Sequence, residues 1–169
     1  MHQYLDRIRD DMYRSIIAAV ARRKYTSGLA ALERGDLDAL LQEFDDELEF
    51  SFAGDSPLGA SLHSRGALRL WFERLHRLMP HPTFEVHEVL VQGWPWDLRL
   101  AIRASINSTV LGEPYRNDFG QFLRLRWMRV TEDRVIEDTE RFERACRRLA
   151  AAGLAEAGAG PITDATTLR

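Results

Sequence analysis

A histidine and a glutamate side by side, His87-Glu88, and a glutamine, Gln121, in a stretch otherwise built of apolar residues are the side chains whose types could do chemistry together. An apolar cavity raises a carboxyl pKa and lowers an imidazole pKa, in both cases towards values useful for moving a proton near neutrality. An amide beside such a base can donate a hydrogen bond to a developing oxyanion. The chemistry is then general acid–base: an isomerisation, cyclisation or dehydration with Glu88 or His87 as base and Gln121 as donor. The competing reading places both ionisable residues outside, paired with arginines in water.

What must position them is a long hairpin from Trp96 to Trp127. With Gly112-Glu113 as its loop, Val110 faces Tyr115, Ser108 faces Asn117, Ile106 faces Phe119, Ala104 faces Gln121 and Leu100 faces Leu125. Opposed residues share a face and side chains alternate with period 2. One face therefore collects Leu98, Leu100, Ile102, Ala104, Ile106, Val110, Phe119, Leu123, Leu125 and Trp127, and the other Arg99, Arg103, Arg116, Asp118, Arg124 and Arg126. Ser108, Asn117 and Gln121 fall among the apolar set, where polar groups need partners or a cavity, so this face is expected to border a pocket. The preceding strand, Phe84 to Trp94, pairs with the hairpin in one of two registers: a two-residue corner sets His87 opposite Ala104, and a three-residue corner sets Glu88 there. Glu85, Glu132 and Glu137 are expected to answer the arginines, within the sheet or across a dimer.

Along the chain, Tyr4, Leu5, Ile8, Met12, Ile16, Ile17 and Val20 recur at helical spacing, ending in Arg22-Arg23-Lys24. Thr26-Ser27-Gly28 is expected to bend the chain before a helical stretch from Leu29 to Arg34, and Asp36 to cap the next helix. Glu47 to Phe52 alternates as a short strand, followed by the turn-rich loop Gly54 to Ser61. A helix over Arg65 to Met79 buries Leu68, Trp71, Phe72, Leu75 and Leu78; Val130 to Glu137 is a final strand, and Asp138-Thr139 caps a last helix to about Ala152. The layout is α+β, helices against one mainly antiparallel sheet. Trp71, Trp94, Trp96 and Trp127 are candidate walls for a flat ligand, or simply core.

Composition narrows the function classes. With 45% hydrophobic and 29% charged residues, the chain reads as one ordinary globular domain with small extensions. A net charge of −3 and no aromatic platform among the arginines argue against nucleic acid. The lone Cys146 forms no internal disulfide, the five histidines make no metal motif, and neither a phosphate loop nor a nucleotide fingerprint occurs, so no cofactor is expected. No run approaches the roughly 18 apolar residues of a membrane span, and the charged start Met1 to Asp6 lacks a signal-type apolar segment. A cytoplasmic protein that meets no membrane is expected.

The element order, together with Gly35-Asp36-Leu37, Gly54-Asp55-Ser56-Pro57-Leu58 and Gly112-Glu113-Pro114-Tyr115 with Asn117, resembles the nuclear transport factor 2-like superfamily, in its branch of SnoaL-like polyketide cyclases and ketosteroid isomerases. The resemblance covers roughly Gly28 to Phe142. It implies a cystatin-like cone, a curved mixed sheet wrapped around a helix with an apolar pocket at the open end, and a homodimer packed through the outer sheet face. It also implies that the known bases are absent. The isomerase base position falls on Phe52 and its oxyanion donors on Gly28 and Gln121, while the cyclase acid/base falls on Val135 and its histidine again on Gln121. Asp55 lies three residues after the base position, where it acts at the mouth or merely turns the loop; Tyr25, one helical turn before Gly28, points its hydroxyl inward or packs in the core.

Residues 1–27 are thus expected as a helical extension, 28–152 as the domain and 153–169 as a loose tail. The expected site has Glu88, His87 and Gln121 as the catalytic group, with Tyr25, Asp55, Leu58, Trp71, Tyr115, Asn117 and Phe119 around a small, largely apolar ligand. A non-catalytic binding or dimerisation module is the alternative, because the relatives' bases are missing.

Overall fold

A computed structural model describes residues 2–165; the side chains of residues 2–8 are outside that description, and with them the expected packing of Tyr4, Leu5 and Ile8. Among the described residues the chain forms α1 (His2–Glu33), α2 (Leu37–Leu41), β1 (Phe44–Phe52), β2 (Ala60–Leu62), α3 (Arg65–Leu78), β3 (Thr83–Trp94), β4 (Asp97–Val110), β5 (Glu113–Arg126), β6 (Arg129–Glu137), α4 (Thr139–Ala151), a 3₁₀ turn (Ala155–Gly158) and β7 (Ile162–Thr163). The strands make one curved, unclosed sheet in the order β3-β4-β5-β6-β1-β2-β7, so the α+β expectation holds. β1 runs parallel to β6, and β2 parallel to β7; the other neighbours are antiparallel.

The central hairpin forms with its turn one residue earlier than the sequence reading puts it. Val110 pairs with Glu113, and the loop is Leu111-Gly112 with φ of 52° and 81°. Two positive φ values make the primed turn whose twist matches that of the strands, and glycine adopts the second at no steric cost. Every facing pair shifts by two residues, Leu100 to Leu123 for instance, so the parity and both face assignments survive. Leu98, Leu100, Ile102, Ala104, Ile106, Val110, Phe119, Leu123 and Leu125 are all buried. Trp127 is the exception. It sits with Met128 in the positive-φ turn between β5 and β6 and is 74% exposed.

On the opposite face Arg124 bonds Asp97 at 2.7 Å and Glu132 at 2.8 Å, and Arg116 bonds Glu85 at 2.8 Å. Glu85 and Glu132 thus answer the arginines as expected. Glu137 instead points inward, because it shares the parity of Asp133 and Val135 on β6.

The helices close the inner face. Asp36, Ser64 and Asp138 cap α2, α3 and α4 by accepting from Ala39 N, Ala67 N and Arg141 N. Trp71 of α3 lies edge-on to Phe50 at 4.8 Å between ring centroids, and its indole Nε1 donates to Leu58 O at 2.7 Å. The bend expected at Thr26-Ser27-Gly28 does not occur: Thr26 Oγ1 donates back to the carbonyls of Arg22 and Arg23, and α1 runs unbroken through residues 27 and 28. Its last turns bury Ala21, Tyr25, Ala31 and Leu32, whereas the expected apolar stripe of Met12, Ile16 and Val20 is about half exposed.

The segment after Gly153, expected to be loose, packs on the body. Glu156 receives Arg77 at 2.7 Å and Arg74 at 3.2 Å; β7 extends the sheet beside β2, and Ile162 is 1% exposed. Its many small residues mask the fully buried apolar side chain that anchors it, Ile162, with Leu154 packed more loosely on the core. Replacing that anchor, Ile162→Ala, is expected to lower stability by roughly 2–3 kcal/mol through lost burial and the cavity left behind, read as a drop in the urea midpoint. An unchanged midpoint would mean the segment contributes nothing to the fold.

A candidate active site in an apolar cavity

A cavity of about 120 Å³ lies between α1, α3, α4 and the inner sheet face. The pocket is partly open to solvent, so this volume bounds only its enclosed part. Tyr25, Leu58, Trp71, Tyr115, Phe119 and Gln121 line it. Asn117 stands behind the wall, 1% exposed, with its amide nitrogen donating to Asp138 O at 3.0 Å. Ser108 leaves the set by donating to Pro80 O.

The polar centre of this cavity is a chain of three side chains. Tyr25 Oη donates to Gln121 Oε1 at 2.8 Å, and Gln121 Nε2 donates to both oxygens of Asp133 at 2.8 and 3.0 Å. Each member is placed by its element: Tyr25 by the buried face of α1, Gln121 by β5, and Asp133 by β6, where it pairs with Leu123 on one side and Phe50 on the other. Asp133 is 4% exposed between Phe50 and Leu123, and removal from water pushes its carboxyl up to about 7 against the stabilising bond from Gln121. Burial, and then the charge of Asp133, hold the Tyr25 phenol well above its ordinary value, so it remains a donor. Both ends of the Gln121 amide are engaged, which makes Gln121 a positioning residue and not a free oxyanion donor.

The proposed base positions do not reach the cavity. Val86, not His87 or Glu88, faces Ala104; a bulge then inserts His87 as an extra residue before Glu88 pairs with Arg103. Glu88 is exposed. His87 lies on the outer face, its Nε2 against Ser105 Oγ and its Nδ1 3.8 Å from Glu85. That order mimics an activated serine, but Ser105 is wholly buried, donates to Asp118 at 2.8 Å and accepts from Arg116 at 2.9 Å, so nothing can approach it. Asp55 is exposed on its loop and does not line the cavity. Of the four tryptophans only Trp71 borders the cavity; Trp94 and Trp96 stack on each other at 5.7 Å, next to Trp127.

The sequence reading misses Asp133 and puts Glu137 on the arginine face, although a signal exists: Glu132 and Glu137 differ in parity, so one of them has to point inward. Glu137 does so, near the α4 end of the cavity, where burial pushes its carboxyl up to about 8. Among the described residues no three His, Cys, Asp or Glu side chains group closely enough to hold a metal ion.

These two carboxyls bind protons more tightly in the fold than in the unfolded chain, where Asp and Glu titrate near 3.8 and 4.5. Native protein therefore holds the extra protons between about pH 4 and 8, and stability falls as pH rises through that window. Asp133→Asn has no charge to bury and is expected to melt a few °C above wild type at pH 8, the advantage shrinking towards pH 4. A difference in melting temperature that stays constant with pH would show that Asp133 is already ionised in the fold.

A family profile described as a SnoaL-like domain matches residues 25–133. No curated protein matches the chain. Among solved structures, PrhC from Penicillium brasilianum is 18% identical with a TM-score of 0.71, over 83% of this chain and 94% of PrhC. A nuclear transport factor 2-like protein from Burkholderia xenovorans is 20% identical with a TM-score of 0.55, over 74% and 94%. TerC, co-crystallised with polyporic acid, is 15% identical with a TM-score of 0.62, over 74% and 96%. At such identities these structures speak for the fold. The profile match runs from Tyr25 to Asp133, the two ends of the hydrogen-bonded chain in the cavity, and covers well over half the protein: the chain belongs to the SnoaL-like domain family.

Proposed function

We propose that this protein binds a small, largely apolar ring compound and moves a proton on it, with Asp133 as the acid/base. The observation that carries the reading is the Asp133 carboxyl, buried in an apolar cavity and held by the Gln121–Tyr25 chain. A carboxyl near neutrality is populated both with and without its proton, so it can take a proton from the carbon beside a carbonyl and return it elsewhere on the enol so formed. Isomerisation, cyclisation and dehydration all pass through such a step. Asp133 lies two residues before Val135 on the same face of β6, one pleat from the position that the resemblance to the cyclases gave for their acid/base. Gln121 and Tyr25 act through Asp133 by fixing its orientation. The similarity in fold to TerC, co-crystallised with polyporic acid, agrees with an organic occupant. The single thiol, Cys146, is buried and unpaired, which suits a reducing cytoplasm.

Exchange of the carbon-bound hydrogens of a two-ring ketone, 2-tetralone, in D₂O reads the step directly by NMR. Wild type is expected to accelerate exchange over buffer, with a rate that rises with pH and levels above about 7; Asp133→Asn is expected to lose roughly 10²–10⁴-fold, while His87→Ala and Glu88→Gln keep wild-type rates. Exchange by wild type at the buffer rate, with the ketone nonetheless bound, would favour the non-catalytic binding module.

A homodimer through the outer sheet face is the second part of the proposal. Leu90, Phe122 and Ile136 are 58%, 51% and 42% exposed on strands β3, β5 and β6, an apolar set that pairing would cover. Sedimentation is expected to give twice the 19.4 kDa chain mass for wild type and the single mass for Phe122→Glu. A monomeric wild type would remove this part and leave the cavity untouched.

A further inference from the structure

The α4 end of the same cavity holds polar atoms that the Asp133 chain does not use. Tyr115 Oη, Asn117 Oδ1 and Glu137 Oε1 are all buried and make no well-aligned hydrogen bond within the protein, although the Asn117 side chain lies within hydrogen-bonding reach of both Tyr115 and Glu137. Three orphaned polar atoms within one small region of an apolar wall are costly, each on the order of 1–3 kcal/mol if nothing satisfies them. Their elements bring them together. Tyr115 and Asn117 stand two residues apart on the inner face of β5, and Glu137 enters from β6, where it pairs with Phe119. Asn117 is held rigidly, since its amide nitrogen is fixed on Asp138 O at the cap of α4. Tyr115 and Glu137 border the cavity itself.

We infer that Tyr115 and Glu137, backed by Asn117 behind the wall, form a second polar subsite, which receives a hydroxyl group at the end of the ligand remote from Asp133. This rests on the cavity being a ligand site, as proposed above, and it narrows the ligand class to ring compounds with an oxygen at both ends. The donor count favours a hydroxyl. Asn117 Oδ1 can only accept, and Tyr115 and Glu137 offer one hydrogen each, so acceptors outnumber donors and a group that both donates and accepts fits best. Burial keeps Glu137 and Tyr115 protonated near neutrality, and an uncharged cluster selects a neutral hydroxyl over an ammonium group. The spacing sets the length. Asp133 and Glu137 are four residues apart on one strand, roughly 13 Å. A two-ring skeleton with an oxygen at either end, lengthened by a hydrogen bond of about 2.8 Å at each, covers that span.

Isothermal titration of the full chain with 2-naphthol and with naphthalene, which differ only in the hydroxyl, tests the assignment. Wild type is expected to bind 2-naphthol about tenfold more tightly, the effect of one satisfied hydrogen bond. Tyr115→Phe and, independently, Glu137→Leu are expected to remove most of that preference, read as the ratio of the two affinities within each variant; circular dichroism confirms that each variant folds. Equal affinity of wild type for the two compounds overturns the subsite and marks these atoms as water-satisfied only. A preference that survives in Tyr115→Phe and Glu137→Leu but vanishes in Asp133→Asn overturns it too, by placing the hydroxyl at Asp133, and leaves the proposed function standing. Failure of wild type to bind naphthalene at all removes the cavity as a ligand site, and the subsite with it.

Discussion

A carboxyl group kept out of water is the constraint around which this protein is arranged. Asp133 sits on an inner strand face whose neighbours are Phe50 and Leu123, and a charge there has no solvent to stabilise it. Two outcomes are open to such a group: it keeps its proton, or it acquires donors. Gln121 supplies donors to both oxygens, yet the carboxyl remains poised near neutrality because one amide does not offset complete desolvation. The amide is itself held by Tyr25 from α1, so the helix that covers the cavity also sets the orientation of its acid. A well-packed apolar residue at 133 would give a more stable protein. Retaining a costly buried acid beside a cavity is the kind of conflict between stability and local chemistry that marks a functional site.

The sheet makes the cavity possible by turning tightly and bending locally. Both hairpins around β5 turn on two residues of positive φ, Leu111-Gly112 and Trp127-Met128, which match the strand twist and keep the long strands in one strict alternation. That alternation holds arginines and their acids on one side and the cavity wall on the other over the whole length of β4 and β5. The bulge at His87 is the one place in β3 where the alternation slips. It rotates His87 to the outer face, where it closes over Ser105, and leaves Glu88 in water. A single extra residue thus decides which ionisable group can meet a ligand.

Membership of the SnoaL-like family and the apparent loss of its bases are reconciled by the same strand geometry. Alignment of the last strand by position alone put valine where the cyclases carry an acid. On a strand, a displacement of two residues conserves the face and moves the group by one pleat, roughly 7 Å. Asp133 and Val135 both look into the cavity, at different depths.

Alternation and helical periodicity are local properties, and what depends on them was legible in the sequence: the α+β class, the two faces of the hairpin, the apolar side of α3, the caps Asp36 and Asp138, and the presence of Gln121 and Phe119 at a cavity wall. Parity survives even an error in the turn, which is why misplacing the loop by one residue changed every partner and no face. Tertiary structure decided what alternation leaves free. Whether β3 carries a bulge depends on how it docks against β4, and this kept His87 and Glu88 out of the cavity. Whether α1 bends at Gly28 depends on what its last turns pack against, and its straight path brought Tyr25 to Gln121. The depth of Asp133 follows from β6 lying between β5 and β1, strands that are far apart in sequence; only their pairing strips the water from that carboxyl and raises its proton affinity.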